Sequence, residues 1–163
     1  MINFYISYFY QIRNMKSNML PVSTAMWDPK WYHDFKDQNY VFYDKRNIIN
    51  GIRSITLLPS PDHLKIEMND PDMCSGRDGC KYDPSNCKFL SSYYNYLCSL
   101  DFNEVIGRIE YYIHQRINPN ADICLMVYEK FDNPCSERGT LIKWFSDHGV
   151  ELIEWNNGGL SNV

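Results

Sequence analysis

Cys135, Ser136, Glu137 and Arg138 stand where a helical pattern begins, and Glu129 and Lys130 close the apolar run that precedes them. A helix N-terminus offers backbone N–H groups that lack intrahelical partners, together with a partial positive charge. A thiol in that field, three residues from a guanidinium, ionises more readily than a free cysteine. Cys135 is therefore a candidate nucleophile. Arg138 and the helix start would hold an anionic group beside the Ser136 hydroxyl, and Glu129 with Lys130 would polarise the substrate. Glu129 and Glu137 oppose an anion there unless Lys130 and Arg138 pair with them. The plainer alternative makes Asn133 the N-cap and Pro134 the first helical residue, with Cys135 a small apolar filler and Arg138 a solvated charge.

Such a site needs a strand, a turn and a helix in that order. Ile123 to Tyr128 is a nearly continuous apolar run bounded by turn signals, the pattern of a strand covered on both faces. Leu141, Ile142 and Phe145 carry the following helix to Gly149, and Val150 to Trp155 reads as a last strand. Upstream, segments 2–10, 19–25 and 52–58 have strand composition. Ser85 opens a helix to about Leu100, with Phe89, Leu90, Tyr93, Tyr94 and Leu97 on one face. Asp101 and Glu104 have capping-box spacing for a helix to about Ile117. Residues 27–50 read as a packed loop with a short helix, and 69–85 as a loop. The expected fold is a three-layer α/β domain over residues 1–155, with a mainly parallel central sheet, flanking helices and the strand at Ile123 to Val127 in the centre. Residues 156–163 form a C-terminal tail.

The strings ICLMVYEKFDNPCSERGTLIKWFSDHGVELIEW and FYISYFYQIRNMKSNMLPVSTAMWDPKWY resemble the prokaryotic and phage family catalogued as domain of unknown function 488, and GCKYDPSNCKFLSSYYNYLCSLDFNE is similar to a variant of it. Tyr128, Glu129, Lys130, Cys135, Arg138, Trp144 and Gly149 match that pattern. Val127 stands where the family usually has a first Cys, and Ser136 and Glu137 replace a His. The resemblance implies an α/β fold with a pocket, without a known reaction. Ser7, Tyr8, Ser23, Thr24 and the Lys30–Trp31–Tyr32 string match family positions at strand ends, so Ser7, Ser23 and Trp31 are candidate binding residues in the crevice that holds Cys135. For Trp31 the competing readings are aromatic packing, which is favoured, and base stacking.

Cys74, Cys80 and Cys87 fall within fourteen residues of a loop rich in Gly, Asp and Pro. Their spacing is looser than that of zinc knuckles, yet three thiolates with a fourth ligand would hold zinc or an iron–sulfur cluster. Reduced surface thiols, or a redox pair between Cys80 and Cys87, are the alternatives. Cys98 lies about 16 Å beyond Cys87 along one helix, too far to share an ion. Cys98 and Cys124 read as core fillers. His114 and His148 read as structural, and His33 and His63 as weak acid–base candidates.

With 163 residues, of which 44% are apolar, the chain is long enough to fold without disulfides or metals. Its formal charge of −4 excludes a global basic field for duplex nucleic acid. No stretch has the length of a membrane span, and the N-terminal residues lack the basic region and cleavage site of a secretory signal, so the expected compartment is the cytoplasm. Two functions follow. One is an enzyme transferring or hydrolysing a group on a small anionic, nucleotide-like substrate. The other is a non-catalytic binding or inhibitor protein, phage encoded, that engages a nucleotide or a host protein.

Overall fold

The computed structural model describes residues 3–15, 18–34, 49–68, 84–116, 118–131, 135–156 and 159–160. Seven strands form the sheet: β1 (Phe4–Tyr8), β2 (Met19–Ser23), β3 (Tyr32–Asp34), β4 (Ile49–Arg53), β5 (Asp122–Val127), β6 (Leu152–Asn156) and β7 (Gly159–Leu160). Their order is β3-β4-β2-β5-β1-β6-β7. The first six are parallel to their neighbours, and only the short β7 runs antiparallel, against the end of β6. The carboxyl ends of the parallel strands therefore share one edge.

β5 lies between β1 and β2, with Leu125 paired to Ile6 on one side and to Val22 on the other. Ile123 to Val127 are fully buried because both faces are covered. Side chains alternate across a strand. Ile123, Leu125 and Val127 meet Phe4, Ile6, Leu20 and Val22 beneath helices α1 (Asp62–Met68), α2 (Lys88–Cys98), α3 (Phe102–Arg116) and α4 (Glu137–Asp147). Cys124 and Met126 face the other way, into a layer built from Tyr5, Met19, Tyr32, Trp155 and the 3-10 segment Phe9–Asn14. The fold is thus a three-layer α/β fold.

Local signals set the helix ends. The Asp101 carboxylate accepts the Glu104 N–H at 3.2 Å, which starts α3 where the capping box predicts it. Gly149, at φ +76°, ends α4: its N–H reaches the Ser146 carbonyl and the Val150 N–H reaches that of Phe145, both at 3.0 Å. Phe89, Leu90, Tyr93 and Leu97 form the buried face of α2, which packs on α4.

Four expectations change. The strand expected at 52–58 is β4, three residues earlier. Ser54 N–H donates the last rung to the Ser23 carbonyl at 2.9 Å, and the chain then tightens into a 3-10 turn over Ile55–Leu57. β3 arises where a packed loop with a short helix was read, and α1 where no element was assigned. β6 continues to Asn156 and pairs with β7, so the tail begins as sheet. Cys98 is exposed on α2 rather than a core filler, while Cys124 is buried. No helix among the described residues is long and apolar enough to cross a membrane.

Candidate functional site

The segment after β5 turns at Tyr128–Phe131, and Cys135 and Ser136 lead into α4. Asn133 and Pro134 lie outside the described residues. Ser136 is the N-cap of α4: its backbone is extended and its Oγ accepts the Arg138 N–H at 3.1 Å. One of the first orphan donors of the helix is thereby satisfied from within.

Arg138 is neither solvated nor directed at an open site. It is buried, donates from Nη1 to the Lys130 carbonyl at 3.1 Å and from Nη2 to the Phe131 carbonyl at 3.2 Å, and its Nε lies 3.4 Å from the Glu154 carboxylate on β6. Its guanidinium also rests 4.8 Å from the centre of the Phe131 ring. Arg138 is a clamp that fastens the β5–α4 turn to β6. Its planar fork suits adjacent carbonyls as well as it suits an oxyanion.

Cys135 is buried in the helical-side core and is disulfide-bonded. Cys87, Cys98 and Cys124 carry thiols. In this form Cys135 has no thiolate to attack with, which corrects the nucleophile expectation. Of the loop cysteines, Cys87 is one of these thiols. Cys74 and Cys80 lie outside the described residues. Among the described residues, no group of three or more His, Cys, Asp or Glu side chains stands close enough to hold a metal ion.

The carboxyls are the unexpected part. Glu137 is the first residue of α4, yet only 8% exposed, and burial pushes its carboxyl well above the usual range, with the charge of Glu129 acting in the same direction. Burial also raises Glu129, against the opposing pull of Arg138, the Ser136 hydroxyl and nearby backbone groups. Glu137 faces α2 as well: the Tyr93 phenol is raised by burial and then by Glu137, and it donates to the Leu57 carbonyl at 2.5 Å. Two carboxyls that share a site cannot both ionise cheaply, so burial and their mutual repulsion favour the protonated form of each.

Beside this pair a groove of about 440 Å³ opens between the N-terminal halves of α2 and α4. Ser85, Ser91, Ser136, Thr140 and Lys143 line it, and Gly139 leaves the backbone of the first turn of α4 uncovered. The Lys143 ammonium sits 3.9 Å from the centre of the Tyr94 ring and 3.9 Å from the Asp147 carboxylate.

The remaining candidates fall elsewhere. Ser7 and Ser23 share strand parity with Tyr5 and Met19, hence the face away from the helices. Ser7 Oγ donates to the Trp155 carbonyl at 2.6 Å, and Ser23 Oγ donates to Asp28. Trp31 packs there too, its ring edge-on to Phe9 at 6.3 Å. The structure therefore separates Ser7, Ser23 and Trp31 from Cys135, Ser136 and Glu129 by the thickness of the sheet. Lys130 is exposed. His114 Nε2 lies 3.3 Å from the Ala121 carbonyl and His148 stacks on Phe102 at 4.4 Å, both in structural roles. His63 is exposed on α1. Sequence reasoning missed Glu137 as a buried group, because an acid in the first turn of a helix ordinarily faces solvent. Compared with protein-family models, curated proteins and solved structures, the chain matches none.

Proposed function

We propose that the protein binds a small anionic, nucleotide-like ligand in the groove between α2 and α4. The observation that carries this reading is the groove's lining: Ser85, Ser91, Thr140 and Lys143 surround the uncovered first turn of a helix in a space of ligand size. The carboxyl pair, which as two anions would repel such a ligand, is compatible with it when protonated. The binding or inhibitor reading holds whether or not Cys135 is in its disulfide, whereas thiol catalysis needs it reduced. A host protein as the target, a phage source and a cytoplasmic setting remain parts of that reading. A reducing cytoplasm would return Cys135 to a thiol. It would leave the groove's own lining chemistry unchanged.

A second reading rests on a different observation. Glu129 and Glu137, adjacent and raised, have the arrangement of a general acid and its partner, which would serve group transfer or hydrolysis on such a ligand.

Calorimetric titration with inorganic phosphate, ADP and a deoxynucleotide tests the proposal. At least one should bind, and Lys143→Ala should weaken it by about threefold to tenfold. Gly139→Leu should abolish binding without unfolding the chain, because a Cβ at Gly139 meets nothing within 4 Å. Binding of none of the three ligands, or full binding by Gly139→Leu, removes the groove as the site. Turnover of a bound nucleotide that is lost in Glu129→Gln would favour the catalytic reading.

A further inference from the structure

On the far side of the sheet, outside the carboxyl ends of β1, β2 and β5, aromatic side chains stand in solvent together. Tyr10 and Trp27 are each 61% exposed and Tyr128 is 48% exposed. Single exposed apolar side chains are ordinary, but several around one floor are not. The floor is Phe9, itself buried. Trp31 meets it edge-on, Tyr128 lies 5.5 Å from it at 66°, and Tyr10 lies 6.2 Å from Trp31 at 52°.

One acid belongs to the cluster. Asp28 follows Trp27 in the same bend and accepts the Ser23 hydroxyl. Partial burial raises the Tyr128 phenol, and the charges of Tyr10 and Asp28 act on it in the same direction. Packing accounts for Phe9 and for the buried part of Trp31. It does not account for the exposed rings of Tyr10 and Tyr128.

We propose that Tyr10, Trp31 and Tyr128, together with Asp28, form a binding site for a quaternary or methylated ammonium group. Aromatic faces carry negative charge density and attract a cation within about 6 Å of the ring centre. A round ammonium touches several mutually inclined rings at once, whereas a flat base needs parallel walls; Tyr10 and Trp31 are inclined at 52° to each other, and Trp31 and Tyr128 stand at 86° and 66° to Phe9 beneath them. The Asp28 carboxylate supplies charge of the complementary sign. Lys30 and Lys130, exposed next to Trp31 and two residues past Tyr128, oppose a cation and set a modest affinity. This site lies on the opposite face from the groove and does not depend on the function proposed for it.

The test uses the full chain and choline as probe, followed by calorimetry and by the N-methyl proton signal in saturation-transfer NMR. The control is 3,3-dimethyl-1-butanol, which has the same shape without the charge. Choline should bind saturably and the neutral isostere about tenfold more weakly or not at all. Tyr10→Leu and Tyr128→Leu should each lower choline affinity by about threefold or more, and Tyr128→Phe, which keeps the ring, should retain it. Equal binding of choline and its neutral isostere would reduce the site to an apolar patch and overturn the proposal. So would absence of choline binding, or adenosine binding that is stronger than choline binding and is lost in the same variants.

Discussion

Tyr128 and Glu129 are consecutive, and the sheet sends one to each side. On the helical side Glu129 joins Ser136 and Glu137, a group of buried polar atoms set into packed helices. On the far side Tyr128 joins Tyr10, Trp31 and Asp28, a group of exposed rings on a single buried floor. The first region holds chemistry by paying desolvation. The second leaves apolar surface in water. Both sit at the carboxyl edge of a parallel sheet, where loops are free to carry function because the strands beneath them are fixed. Proximity in sequence at the end of a central strand is therefore no guide to a shared pocket.

The strongest way to break the contrast is to remove what fixes the helical side. Arg138→Leu loses two hydrogen bonds to carbonyls and the Glu154 ion pair, and leaves the Lys130 and Phe131 carbonyls without these donors. Partial exposure of Glu154 discounts the pair, so the expected cost is about 2–4 kcal/mol, measured by urea unfolding. A loss under about 0.5 kcal/mol would mean that Arg138 is not a clamp. Choline binding on the far face should survive in the folded fraction.

Much of the frame was legible in the chain. Ile123 to Val127 announced a central strand because a run without polar alternation has no solvent face to offer. The ends of α3 and α4 carried their own caps in Asp101, Glu104 and Gly149. β3 was not legible: its three residues, Tyr32–Asp34, have too little length for a period to register, and only pairing with β4 makes them a strand. Ile52 to Leu58 misled because its apolar run continues past the point where the backbone tightens at Ser54. In the site, the types at 129, 130, 136 and 138 were visible but their partners were not. Arg138 answers to two carbonyls and to a carboxylate on β6, and no local pattern encodes a choice between those and a ligand. The Ser136 cap was hidden by Asn133, an equally good capping type three residues earlier. The burial of Glu137 depends on α2 lying against α4, a long-range fact.

A smaller effect, with a distinctive pH signature, sharpens the helical side of the comparison. Burial raises the folded-state pKa of Glu137 above its unfolded value of about 4.3. The folded state therefore binds the proton more tightly. That contribution to stability is full below the unfolded pKa and is lost as pH rises through the folded one. Glu129 is shifted in the same direction and adds to the trend. Glu137→Gln keeps the size and the hydrogen-bonding capacity but cannot ionise. It should be more stable than the parent at pH 8 by about 1–2 kcal/mol, and the gap should close in acid. Thermal melts at pH 4.5 and pH 8 measure both arms, and a variant less stable than the parent at pH 8 would contradict a buried, strained carboxylate.

The smallest expected effect is the one that best separates the two regions. Tyr10 is 61% exposed, and its ring neighbour Trp31 is itself held from below by Phe9. Tyr10→Leu removes one side of the aromatic cluster while leaving the floor intact. Surface substitutions away from cores, caps and buried charges change stability by about 0.5 kcal/mol or less, and that is the change expected in a urea titration. The same substitution should cost choline binding, so stability and binding part company on this face. On the helical face they do not, because Ser136 both lines the groove and caps α4. If Tyr10→Leu instead lowers stability by more than about 1.5 kcal/mol, the upper end of what one aromatic contact contributes beyond burial, the exposed rings hold the fold together. The far face would then be a second core boundary, and the division of labour across the sheet would fail.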